Sequence, residues 1–172
     1  MQNKGLVHIY TGNGKGKTTS AFGLALRASG SGKKVFIAQF VKGMHYSELD
    51  SIKKHENIEL KQFGRDCFIE KAPVFEDIKA AQEGFDYISE ILVKDDYDMI
   101  ILDEIFIALF YKLIRSEDLK RIILDKHVKI ELILTGRYAP EEFYDIADLV
   151  TEMKEIKHYY NTGIEARPGI EF

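Results

Sequence analysis

Between Thr11 and Thr19 the chain reads Thr-Gly-Asn-Gly-Lys-Gly-Lys-Thr-Thr. Gly12, Gly14 and Gly16 let a backbone turn back on itself with its N–H groups inward, making a concave nest whose partial positive charge suits phosphate oxygens. Lys17 then places an ammonium on a phosphate chain, and the Thr18 hydroxyl can hold a divalent cation, the roles of a Gly-Lys-Thr triplet in phosphate loops. With Asn13, Lys15 and Thr19 these residues form the candidate nucleotide-binding set. The usual pattern has glycine where this chain has Thr11. A glycine turn that binds nothing is the bland alternative, and the apolar run before it and helical spacing after it speak against that.

Asp103-Glu104 leaves the apolar run Met99-Ile100-Ile101-Leu102. A Mg²⁺ or Mn²⁺ held by phosphates still takes protein oxygens directly or through water, so this pair supplies the acidic partner the loop requires. Spacing does not decide which carboxylate touches the ion, and a solvated acidic helix start is the competing reading. Lys42 and Arg137 also follow apolar runs, where either could neutralise a phosphate chain or a leaving group, or simply face solvent. The histidines His8, His45, His55, His127 and His158 lack metal-ligand spacing, and the lone Cys67 has no nearby histidine to activate it.

These residues need elements to hold them. Leu6 to Tyr10 predicts a strand, and Ala21, Leu24, Ala25 and Ala28 recur at helical spacing behind the loop until Gly30 and Gly32 stop them. Val35–Phe40, Ile58–Phe63, Met99–Leu102, Ile130–Leu134 and Leu149–Lys157 read as further strands, the second with one wet face near a sheet edge and the third central. Helices are expected over Glu48–His55, from Pro73 with an apolar stripe of Val74, Ile78, Phe85, Ile88 and Leu92, over Ile105–Leu113, and over Ser116–Asp125 with Ser116 as N-cap. A short helix opens at Pro140, and Tyr159–Phe172 is irregular. Strict alternation predicts one doubly wound, mostly parallel α/β domain over 1–172, with ligand sites beyond the carboxyl ends of the strands.

Composition narrows the partners. The 172 residues carry 24 Lys+Arg against 28 Asp+Glu, a net charge of -4 that supplies no global field for nucleic acid or anionic membranes. One cysteine excludes an internal disulfide framework and fits a reducing compartment. No apolar run approaches the roughly 20 residues that span a bilayer, and no leader pattern precedes Leu6, so a cytoplasmic protein is expected.

To this point the residues describe a Mg-nucleotide site without separating an ATPase or small-molecule kinase from a transferase. The string Thr11 to Gly23 resembles the P-loop class of ATP:cob(I)alamin adenosyltransferases. So do Gln39-Phe40-Val41-Lys42-Gly43, Leu102-Asp103-Glu104, Leu134-Thr135-Gly136-Arg137, Ala147 to Met153, and the tail through Gly163-Ile164-Glu165-Ala166-Arg167-Pro168-Gly169-Ile170-Glu171-Phe172. The resemblance implies a P-loop NTPase (RecA-like) fold. It implies transfer of the 5′-deoxyadenosyl group of ATP to the cobalt of a reduced corrinoid, with tripolyphosphate leaving and the nucleotide reversed in the loop so that its ribose carbon is exposed. It also implies Glu104 as the direct metal ligand with Asp103 behind it, Lys17 and Arg137 as catalytic groups, a homodimer, and an electron-donating flavoprotein as partner. Where the family often carries an aromatic segment with Trp, residues 64–72 have none. Phe68 stands in, packing on the corrin and excluding water from the lower cobalt face, which would ease reduction of Co(II).

Overall fold

Val35–Phe40 is buried at every position, and a short run of that kind satisfies its backbone best as a strand covered on both faces. The computed structural model, which describes residues 4–65 and 72–172, makes it the second strand, β2. The others are β1 (Val7–Thr11), β3 (Ile58–Phe63), β4 (Met99–Asp103), β5 (Glu131–Thr135) and β6 (Leu149–Glu152). They pair in the order β3-β2-β4-β5-β1-β6, and every pairing is parallel. The expected mostly parallel sheet is therefore wholly parallel among the described residues, with β4 internal and β3 at an edge.

Among the described residues five α-helices, α1 (Lys17–Gly30), α2 (Ser47–Ile52), α3 (Phe75–Leu92), α4 (Ile105–Phe110) and α5 (Ser116–Asp125), cover the two faces. Ala21, Phe22, Ala25 and Ile52 pack on Val35, Ile37 and Ile101 on one side. Phe36, Ile100, Leu132, Ile88, Phe106 and Ile123 belong to the core on the other. At about 1.5–3 kcal/mol per fully buried large side chain, these two layers make the sheet a stiff frame for whatever its strand ends carry. No described helix is long and apolar enough to cross a membrane.

Five local expectations change. The helix expected over Glu48–His55 runs over Ser47–Ile52 instead, with Lys53 as its C-cap. The last strand stops at Glu152 rather than Lys157, because its sole ladder partner β1 ends at Thr11, which pairs with Glu152. Met153 then turns over the glycine loop. The helix expected from Pro73 begins at Phe75, and Val74 is its half-exposed N-cap residue, not part of the core stripe; Val74 N–H donates to Asp77 Oδ2 at 2.9 Å. The helix from Ile105 ends at Phe110, short of Leu113, and Lys112 beyond it adopts a φ of 58°. Ser116 is the first residue of α5 rather than its cap, and its hydroxyl donates to Glu142.

Because all strands run one way, Thr11, Phe40, Asp103 and Thr135 end at the same edge of the sheet. β5 lies between β1 and β4, so Thr135 falls between the glycine loop and Asp103-Glu104.

Candidate active site

The loop leaving β1 uses its glycines for close approach. Gly12 has a φ of 96°, and a Cβ there would lie 2.5 Å from the Met153 carbonyl oxygen. A Cβ on Gly14 would sit 2.7 Å from the same oxygen, which accepts the Gly14 N–H at 2.6 Å. The side chain of Thr11 is buried, and its hydroxyl accepts from Ala139 N–H at 3.3 Å. Thr11 is not among the described non-glycine residues with positive φ, so its backbone does not call for the glycine of the usual pattern. Gly16, at φ 119°, precedes α1 without any side-chain cap, leaving the helix N-terminus turned to the loop.

Lys17 is buried, and its Nζ donates to the carbonyls of Gly12 and Gly14, each at 2.8 Å. Burial holds its ammonium below the ordinary lysine value despite the opposing pull of Glu104. Asn13 and Thr19 are exposed on the loop and first turn. Lys15 turns outward: its Nζ donates to Ile170 O at 2.7 Å and Tyr159 Oη at 2.8 Å, and pairs with Glu171. Its side chain thus fastens the C-terminal tail instead of facing the loop.

That tail contact has a pH signature. Bonds from Lys15, Tyr159 and Arg167 hold the Glu171 carboxyl well below the usual carboxylate range. A depressed value means the docking energy is present above the unfolded-state pKa, about 4.3 for Glu, and is lost only as pH falls through the lower folded value. A ¹³C titration of the Glu171 carboxyl should therefore show a midpoint below about 4.3, moving up toward it in Lys15→Ala. An ordinary midpoint in both proteins would mean the tail is undocked.

Asp103 is fully buried at the end of β4 and accepts on both oxygens. Oδ1 receives the hydroxyls of Thr18 at 2.9 Å and Thr135 at 2.7 Å; Oδ2 receives Lys42 Nζ at 2.9 Å and Gln39 Nε2 at 3.2 Å. Burial alone would raise its pKa, but Lys42 and the two hydroxyls outweigh it and hold the carboxylate ionised. Burial pulls Lys42 the other way, and Asp103 and Glu104 overcome it, so that ammonium is held above its usual value.

Glu104 is different. One of its carboxylate oxygens, Oε2, is buried without a hydrogen-bond partner, and burial plus the neighbouring Asp103 charge push its pKa up. Its backbone sits at φ 58°, ψ 24°, a left-handed conformation costing about 1–3 kcal/mol outside glycine. Donor saturation at Asp103 and an unused oxygen at Glu104 suit one carboxylate to orienting a ligand and the other to being one. Among the described residues no cluster of three His, Cys, Asp or Glu could hold a metal alone, so a cation here would need Thr18 and phosphate oxygens as well.

Lys42 also approaches Thr18 Oγ1 at 3.4 Å and lies 5.3 Å from the centre of the Tyr46 ring. Arg137 is exposed after Gly136, close enough for its charge to act on both Lys17 and Glu104. Beside the loop opens a cavity of about 510 Å³, walled by Thr18, Phe22, Lys42, Tyr46, Glu48 and the tail residue Ile170. The structure thus brings Lys17, Thr18, Lys42, Asp103 and Glu104 together, with Arg137 at the rim. Phe68, and the corrin contact expected of it, lies outside the described residues, as does Cys67. Sequence reasoning gave no role to Gln39 or Thr135, although both stand in the quoted motifs; being uncharged, they carried no signal of an acidic partner. Nor did it single out Gln62, whose Nε2 donates to Gln39 Oε1 at 3.1 Å and extends the network to β3.

The model of one protein family, ATP:corrinoid adenosyltransferase BtuR/CobO/CobP, matches residues 3–172. The chain belongs to this corrinoid adenosyltransferase family. Its relatives include a Sinorhizobium protein named corrinoid adenosyltransferase, 35% identical over 173 residues that cover 98% of this chain and 81% of that one. Proteins of the same name from Escherichia coli K12 and Pseudomonas aeruginosa are 30% and 32% identical, covering 100% and 98% of this chain and 88% and 84% of theirs. In this corrinoid adenosyltransferase family member the glycine-rich stretch Gly12–Gly16 lies between β1 and α1, with the Asp103-Glu104 pair two strands away in the sheet.

Proposed function

We infer that this chain transfers the 5′-deoxyadenosyl group of ATP to the cobalt of a reduced corrinoid and releases tripolyphosphate. The observation that carries the reading, within a chain of this family, is the join between the glycine loop and the acidic pair: Thr18 donates to Asp103, while Glu104 keeps a buried oxygen free. A Thr18 hydroxyl whose proton is committed to Asp103 presents only lone pairs to other groups, one approached by Lys42 Nζ at 3.4 Å and the other left for a metal ion.

Cobalt(I) in the corrinoid substrate is itself a strong nucleophile, so the protein need not deprotonate anything to create one. Its electron pair forms the cobalt–carbon bond at the ribose 5′ carbon, and the carbon–oxygen bond breaks with its pair leaving on tripolyphosphate. The chain's own work is orientation and charge stabilisation. Inward loop N–H groups and Lys17 grip the polyphosphate, and Lys42 and Arg137 add positive charge near the departing oxygen. Thr18 and Glu104 would hold Mg²⁺ or Mn²⁺, with Asp103 aiming Thr18, and the cation would neutralise phosphate charge there. Resemblance to the family further supports reading the protein as a cytoplasmic homodimer that receives reduced corrinoid with help from an electron-donating flavoprotein. The acidic net charge supports no nucleic-acid partner.

Anaerobic incubation with ATP, Mg²⁺ and chemically reduced cobalamin should convert the cobalt(I) spectrum to that of a light-sensitive alkyl-cobalt species. An unchanged spectrum while ATP is consumed would favour an ATPase or small-molecule kinase instead.

A further inference from the structure

One hydroxyl touches both members of the acidic pair. Thr135, fully buried at the end of β5, donates its proton to Asp103 Oδ1 at 2.7 Å and accepts the backbone N–H of Glu104 at 3.0 Å. Both bonds follow from the sheet: Leu102 is level with Leu134, so the next residues, Asp103 and Thr135, leave adjacent strands side by side.

We propose that Thr135 is a positioning residue of the transfer reaction, fixing through its single hydroxyl the carboxylate that orients Thr18 and the backbone turn that presents Glu104. The inference rests on the reading of Thr18 and Glu104 as metal ligands. Glu104 holds a left-handed turn at φ 58°, directly before α4, and its N–H is satisfied by Thr135 Oγ1. The same hydroxyl fills a site on Oδ1 beside Thr18, so Asp103 can neither rotate nor abandon Thr18 without breaking a second bond. Thr135 therefore acts through Thr18 and Glu104 rather than on substrate. Gln39 and Lys42 anchor only the other oxygen, Oδ2, and cannot replace it.

The test separates metal from nucleotide. Thr135→Val keeps the volume and removes the hydroxyl; Thr135→Ser keeps the hydroxyl and removes the methyl. Mn²⁺ binding to the protein–ATP complex, followed by the water-proton relaxation enhancement of that complex over Mn²⁺–ATP alone, should weaken about 10–100-fold in Thr135→Val, the usual effect of removing a group that orients metal ligands. Thr135→Ser should stay within about threefold of wild type, and ATP affinity measured in EDTA should be similar in all three proteins. In the activity assay the Mg²⁺ concentration for half-maximal rate should rise in Thr135→Val, with KM for ATP at saturating Mg²⁺ little changed. Unchanged Mn²⁺ affinity in Thr135→Val would overturn the proposal, as would equal losses in Thr135→Ser or a parallel loss of metal-free ATP binding. Should Thr135→Val fail to fold, Thr135→Ala takes its place, and near-normal Mn²⁺ affinity in Thr135→Ser remains a required result. If the wild-type protein took up no Mn²⁺ with ATP, the metal reading itself would fall, and the proposal with it.

Discussion

Lys17→Ala should lower kcat/KM by about 10²–10³-fold while moving the melting temperature by only a few degrees. The expectation follows from what the ammonium touches. It is buried, its hydrogen bonds among the described residues go to the carbonyls of Gly12 and Gly14, and burial depresses its pKa. Removing it relieves that desolvation, which offsets the loss of its two hydrogen bonds to loop carbonyls. Loss of transition-state stabilisation has no such compensation, because nothing else on the loop carries a full positive charge inward; Lys15 is committed to the tail. Steady-state kinetics with thermal unfolding decide the matter, and a variant keeping activity within tenfold would remove Lys17 from the site.

Asp103 and Glu104 should respond to neutralisation in opposite ways. Asp103→Asn removes the fully buried counter-charge of partly buried Lys42, and breaking such a pair from one side costs up to about 3–5 kcal/mol, or roughly 6–20 °C in a chain of this length. Glu104→Gln removes a buried charge whose neighbours already disfavour it, so the folded protein should be as stable as wild type or more so. Activity should nevertheless fall by about 10–100-fold or more, with a raised Mg²⁺ requirement, because the lost oxygen is the one left for the metal. Thermal unfolding and Mg²⁺-dependent rates on both variants check this. If Glu104→Gln lost stability as steeply as Asp103→Asn, the division of labour between the two would be wrong.

The sheet was legible because parallel strands buried on both faces announce themselves as apolar runs. Val35–Phe40 falls where the sequence places it, the strand expected over Met99–Leu102 runs one residue further to Asp103, and Gly12 and Gly16 take positive φ values suited to a phosphate loop. What spacing could not supply was partnership across the sheet. That Asp103 is saturated while Glu104 is not depends on Thr135 and Gln39 arriving on two other strands, on Lys42 just beyond one of them and on Thr18 from α1, information carried by the packing of distant segments. The same holds for Lys15: within the loop it reads as a phosphate ligand, and only the folded tail reveals Tyr159, Ile170 and Glu171 around it. The end of β6 was set by its neighbour β1 and not by its own residues.

The claim on which these expectations rest is that the loop grips polyphosphate as a leaving group. Phosphorus NMR of a reaction containing the protein, ATP, Mg²⁺ and cobalt(I) cobalamin reads this directly. Intact tripolyphosphate should accumulate in step with the alkyl-cobalt product. ADP and orthophosphate accumulating in its place would contradict it, since the terminal phosphorus rather than the ribose carbon would then have been attacked.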